Sequence, residues 1–181
     1  MDQLLKSKYR IGKKLAENQF SITYHGFFIG TEKPVIIKIY KRGTLNSALI
    51  KSMKQRVLGF STVNHQGLAK LYDGDYGWQG FYYVREYVDG QSLAELLAGG
   101  EKFGAERAVV VIDQVLAALA AAQARGVVHG ALKPANIFID RQGIVKVTDF
   151  VVEGELKAVL PQKILELMVN VRYSSTEQIA R

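Results

Sequence analysis

The stretch His129-Gly130-Ala131-Leu132-Lys133-Pro134-Ala135-Asn136, followed across a short hairpin by Asp149-Phe150-Val151, says more about this chain than any other part of it. It sets one histidine, one lysine, one asparagine and one aspartate at fixed spacing around the apolar residues Leu132 and Phe150. On its amino-terminal side a helical pattern runs from about Ala105 to Ala124 and closes at Arg125-Gly126. The polar residues of that helix pair up seven apart, Glu106-Arg107 and Asp113-Gln114, which leaves a very wide apolar face. Such a face left in water marks an interaction surface or an aggregation hazard. On the carboxy-terminal side, residues 155–171 are rich in Leu, Ile and Val, with Pro161 fitting the first turn of a helix. That segment is expected to cover the core or to meet a partner.

Further out, β-branched and aromatic residues predict strands over Tyr9 to Leu15, Phe20 to Ile29 and Pro34 to Tyr40, with turns at Glu17-Asn18 and Gly30-Thr31. Leu45, Leu49, Met53, Val57 and Phe60 have helical spacing. Two more strands fit Ala69 to Tyr76 and Gly80 to Tyr87, joined through Gly77-Trp78. Ser92-Leu93-Ala94-Glu95 has the form of a capping box, and Gly99-Gly100 ends the short helix it opens.

Composition bounds the function classes. The 181 residues are 48% hydrophobic and 23% charged, which suits a globular domain with a real core or two small lobes. With no cysteine there is no disulfide framework or thiolate metal site, and three scattered histidines suggest no metal cluster. The longest apolar run is too short to span a bilayer and the amino terminus has no signal pattern, so a cytoplasmic domain is expected. Charge is uneven: residues 1–72 hold 13 Lys/Arg against 3 Asp/Glu, net +10, and residues 73–181 hold 11 against 14, net −3. Between Lys33 and Tyr72 no acidic residue occurs. A basic half attracts nucleic acid, anionic lipid or an acidic protein, though a solvated basic face is the plainer reading.

The quoted residues resemble the catalytic loop and metal motif of the eukaryotic-type (Hanks-type) Ser/Thr protein kinase family, H-R-D-L-x-x-x-N before D-F-G. The resemblance runs from Tyr9 to Glu177. Val35-Ile36-Ile37-Lys38 is similar to V-A-I-K, Tyr83 to Gly90 to the linker whose backbone groups bind adenine, and Tyr173 to Gln178 to the end of an activation segment. It implies an α+β, two-lobe fold: an N-lobe over 1–88 with a five-stranded antiparallel sheet plus one helix, and a mainly helical, truncated C-lobe over 89–181. It also implies ATP and Mg²⁺ as ligands. Lys38, Glu86, Val88, Lys133, Asn136 and Asp149 would contact the nucleotide, with Asn136 and Asp149 as the Mg²⁺ ligands.

Departures fall on the chemistry. Ala131 replaces the aspartate that accepts the substrate proton, so the loop His129, Ala131, Lys133 is degenerate and no catalytic residue set is intact. Gly130 replaces the arginine before it, and Val151 the D-F-G glycine. The three phosphate-loop glycines become Ala16, Asn18 and Ser21, although those backbone amides must approach phosphate without a Cβ in the way. Lys38 lacks its glutamate partner, whose position falls near Arg56. Arg85 takes the place of an apolar residue behind the adenine; buried, it needs a partner, with Asp149 or Glu86 the expected ones.

The reading is a pseudokinase domain, a scaffold or allosteric module with weak or absent nucleotide binding. The alternative is a divergent active phosphotransferase using ATP-Mg through Lys38, Lys133, Asn136 and Asp149. A protein partner is expected, or a homodimer through the 155–171 segment or the 105–124 helix. Nucleic acid is not expected, since the basic residues lack an aromatic platform, and no segment is expected in a membrane.

Overall fold

A computed structural model describes residues 3–150 and 171–176. Val151 and the segment 155–171, up to residue 170, lie outside the described residues. The chain divides into two compact units: residues 1–64 with 69–87, and residues 65–68 with 88–181.

The first unit is built on β1 (Gln3–Leu5), β2 (Tyr9–Glu17), β3 (Ser21–Phe28), β4 (Pro34–Lys41), α1 (Ser47–Ser61), β5 (Leu71–Gly77) and β6 (Gly80–Glu86). The strands form one antiparallel sheet in the order β1-β2-β3-β4-β6-β5. Six strands are present where the sequence predicts five. The extra one, β1, is three residues long, and its turn runs through Lys6 and Ser7, both at φ 51. Turns of that hand normally announce themselves with Asn or Gly, and Lys-Ser gives no such signal.

β4 reads as a nearly unbroken apolar run because both of its faces are covered. Val35, Ile37 and Ile39 join Leu5, Tyr9, Ile11, Tyr82 and Val84 in one buried cluster. The alternate residues Ile36 and Tyr40 are buried as well, with Lys38 between them. The sheet curls until the β1–β2 turn meets β5: Tyr9 donates to Asp73, Lys6 pairs with Asp75, and Lys54 of α1 pairs with Asp75 from the other side. Helix α1 starts at Asn46, whose Oδ1 accepts from Leu49 N at 2.9 Å, and buries the stripe Leu49, Met53, Val57 and Phe60. Val57 packs over Gly74 of β5, where a Cβ would stand 2.7 Å from it.

In the second unit, β7 (Gly90–Ser92), α2 (Leu93–Ala98), α3 (Ala105–Gln123), a 3-10 turn at Pro134–Asn136, β8 (Ile137–Asp140) and β9 (Val145–Val147) follow in order. Beside its helices this unit carries a three-stranded antiparallel sheet, β7-β8-β9. The capping box is made in full: Ser92 Oγ accepts from Glu95 N while Glu95 Oε2 accepts from Ser92 N at 2.7 Å. Gln114, a polar interruption of α3, accepts from Val145 N at 2.9 Å and ties the helix to β9. α3 buries Val111, Val115, Ala118 and Ala122, whereas Val109, Val110, Ile112 and Leu116 are each more than half exposed.

Candidate functional site

The loop 129–136 is knit to the strand that precedes Asp149 by hydrogen bonds. His129 is buried, its Nε2 lies 3.0 Å from the Thr148 carbonyl, and its Nδ1 accepts from Ala131 N at 3.2 Å. A carbonyl only accepts, so the ring is neutral with its proton on Nε2. The ring also packs on Phe150 at 4.6 Å. Core packing and loop bracing therefore account for His129.

Asn136 is buried at the end of the 3-10 turn, and its Nδ2 donates to the Ala131 carbonyl at 3.3 Å. Its own carbonyl accepts from Thr148 N at 2.9 Å and from Thr148 Oγ1 at 3.4 Å. The main chain at Ala131 is thus held by both His129 and Asn136, and its side chain is a methyl group. No proton acceptor resides there. Asp149 adopts φ 65, a conformation in which aspartate is among the few tolerated non-glycine residues. Backbone strain of that kind persists where the surroundings impose it. Lys133 is partly buried and precedes Pro134 at the start of the turn.

In the first unit Lys38 lies on β4 opposite Thr23 and Tyr83, with its Nζ 5.6 Å from the centre of the Tyr40 ring. Two residues along the same face, Ile36 stands opposite Arg85. Arg85 is buried, and its Nη1 donates to the Glu86 carbonyl at 3.0 Å. Glu86 is further engaged with Lys70: its amide donates to the Lys70 carbonyl at 2.7 Å, and its carboxylate accepts from Lys70 N at 3.0 Å. In the second unit the Val88 carbonyl accepts from Gly90 N at 3.0 Å.

The β2–β3 turn closes on itself. Asn18 Oδ1 accepts from Phe20 N at 2.8 Å, from Ser21 N at 2.7 Å and from Ser21 Oγ at 3.3 Å. Beside it the Glu17 carboxylate pairs with Lys14 at 2.7 Å and Lys41 at 2.8 Å. Those two ammonium groups, Lys14 first, hold Glu17 down to about 2. No motif interval marks this role of Asn18, though an Asn at a hairpin turn is a known signal for a side chain that caps its own backbone.

The structure thus gathers His129, Ala131, Asn136, Thr148 and Phe150 in the second unit, and places Lys38, Arg85 and Glu86 on neighbouring strands of the first. No group of three or more His, Cys, Asp or Glu able to hold a metal ion occurs among the described residues. No helix among them is long and apolar enough to cross a membrane.

Residues 9–181 match the family described as Protein kinase domain. The chain is 27% identical over 175 residues to serine/threonine-protein kinase PrkC of Bacillus subtilis (strain 168), covering 96% of this chain and 27% of that protein. It is 29% identical over 180 residues to serine/threonine-protein kinase PknL of Mycobacterium tuberculosis (strain ATCC 25618 / H37Rv), covering 97% and 44%. It is 29% identical over 149 residues to CBL-interacting protein kinase 30 of Oryza sativa subsp. japonica, covering 82% and 31%. The chain spans less than half the length of these curated relatives. With the match extending over nearly all of its residues, the chain belongs to the protein kinase domain family.

Proposed function

We propose that this chain is a pseudokinase domain: a kinase fold that transfers no phosphate and works as a regulatory or scaffolding module for a protein partner, in the cytoplasm. The observation that carries the reading is Ala131, a methyl group where the family has its proton acceptor, on a main chain braced by His129 and Asn136. A positioned base is worth about 10² to 10⁴ in rate. The absence of any carboxylate between Lys33 and Tyr72 removes the Lys–Glu pair as well.

The groups that would meet ATP and Mg²⁺ fit poorly. Phe20 N and Ser21 N, which lie in the phosphate loop, already donate to Asn18. The Glu86 carbonyl, in the adenine linker, already accepts from Arg85. Glu17 adds a carboxylate beside the loop. A triphosphate would have to displace these contacts before it gained its own. What fits is partial: Lys38, Lys133, Asn136 and Asp149 are kept.

The test pairs two measurements. A thermal shift with millimolar ATP and Mg²⁺ is expected to show no stabilisation, where a ligand at 100 times its dissociation constant gives about 2.7 kcal/mol. Phosphate incorporation into a generic protein substrate is expected to stay at background, also in Ala131→Asp, because α1 still has no glutamate. The strained φ of Asp149 favours a second reading, a divergent phosphotransferase. Incorporation that disappears in Asp149→Ala would establish that reading and overturn the first.

For the partner, we propose a protein surface that meets the exposed aliphatic residues of α3 or the segment 155–171. Homodimerisation through either is one form of it. Sedimentation analysis of a Val109→Glu/Leu116→Glu variant tests the α3 version.

A further inference from the structure

One rim of the first unit's sheet brings together three connections. The β5–β6 turn pairs Gly77 with Gly80 and carries Trp78 at its apex, 69% exposed. Gly80 in turn pairs with Lys41, so closely that a Cβ on it would stand 1.9 Å from the Tyr40 carbonyl and 3.0 Å from Arg42 N. Lys41 N donates to the Phe20 carbonyl at 2.8 Å, which joins the β2–β3 turn to the same edge. Leu15, on the strand that leads into that turn, is half exposed.

The charges of this rim are one-sided. It carries Lys14, Lys41 and Arg42 against one carboxylate, Glu17, which pairs with the two lysines. The net charge is +2. The nearest acid along β5, Asp75, is held by Lys6 and Lys54. Nothing in a tight hairpin turn calls for an indole, since such positions favour Gly, Asn and Asp. A single exposed aromatic residue is ordinary, but one in a hairpin turn beside a cationic rim is a specific arrangement. An indole inserts at the headgroup level of a bilayer, and Lys and Arg around it meet anionic lipids.

We propose that this rim, with Trp78 at its centre and Lys41 and Arg42 beside it, docks on an anionic membrane surface. A set of hairpin turns carrying one exposed indole suits a flat lipid interface better than a nucleic acid strand. Single strands are bound in a groove with several aromatic platforms, and here one indole stands at a tip. The docking is peripheral, and Trp78, Lys41 and Arg42 are not among the residues that would contact ATP or Mg²⁺.

Trp78 is the sole tryptophan of the chain, so its fluorescence reports on this site alone. With vesicles of phosphatidylcholine and phosphatidylglycerol its emission is expected to shift to the blue, to be quenched by brominated lipid, and to return to the free position at high salt. Pure phosphatidylcholine vesicles should leave it unchanged. Lys41→Ala/Arg42→Ala should weaken vesicle partitioning roughly thirtyfold, each cation near an anionic surface contributing about fivefold. Trp78→Ala should lose co-sedimentation while its circular dichroism is unchanged. Wild-type emission indifferent to anionic vesicles would overturn the proposal, without any appeal to a variant. So would quenching by a single-stranded oligonucleotide with no response to vesicles, or full co-sedimentation of a folded Trp78→Ala protein.

Discussion

His129 illustrates how a residue of a reactive motif becomes an internal brace. One ring nitrogen donates to Thr148 and the other accepts from Ala131, inside a buried packing arrangement with Phe150. Replacement by alanine leaves a buried carbonyl and an amide without partners and opens a cavity. His129→Ala is expected to lower the free energy of unfolding by about 3 kcal/mol, read from urea denaturation. A loss under 1 kcal/mol would mean the loop is not braced this way. Gly90 shows the same dependence on close approach. A Cβ there would stand 2.1 Å from the Ile139 carbonyl, so Gly90→Ala should destabilise by about 1–3 kcal/mol through displacement of β7 from β8. The sequence showed a glycine in a linker motif; that the partner strand comes so near is a fact of the tertiary structure.

Among the elements, α2 is the clearest case of a local code. Ser92 and Glu95 satisfy each other's backbone amides, and Ser92→Ala should cost about 1 kcal/mol by thermal or chemical denaturation. The β1 hairpin is the opposite case. Its turn residues Lys6 and Ser7 are left-handed without being glycine or asparagine, so the hairpin is held by what it touches. Asp75 is central to that contact. Lys54 and Lys6 hold its carboxyl well below the usual carboxylate range. A depressed carboxylate contributes stability that is present above its unfolded value, near 4, and is lost as pH falls through the folded one. Asp75→Asn is therefore expected to lose about 1 kcal/mol at neutral pH, in line with partly exposed ion pairs. Its stability should then decline less steeply than wild type as pH falls below about 4. Urea midpoints for the two proteins across that window check both statements, and parallel curves would refute the role given to Asp75.

At the scale of the whole chain, the unequal charge follows the division into two units. The first carries a basic surface over a sheet closed by Asp73 and Asp75, and the second carries most of the carboxylates. The surface charge of the first unit is a property of solvation and association, not of its fold. Salt should therefore change what the first unit binds far more than it changes how the chain folds. Raising ionic strength is expected to leave the far-ultraviolet circular dichroism unchanged while abolishing binding to anionic surfaces. Loss of secondary structure under the same salt would show that the fold itself rests on these charges.

Spacing along the chain was enough to identify five of the six strands of the first sheet, all three α-helices among the described residues and the kinase motifs. Period-2 and period-3.6 patterns, caps and motif intervals are local, and they were legible residue by residue in Val35 to Lys38, Ser92 to Glu95 and His129 to Asn136. The loss of the proton acceptor at Ala131 and of every carboxylate between Lys33 and Tyr72 was equally plain, because an absent side chain needs no coordinates. Only the tertiary structure decided that Asn18 would take the amides of Phe20 and Ser21, that Arg85 would rest on the Glu86 carbonyl, and that β1 would curl the sheet onto Asp73 and Asp75. Those outcomes turn on which polar groups approach one another once the chain is packed. A buried donor takes whatever acceptor the fold brings within 3 Å, and no local pattern encodes that distance.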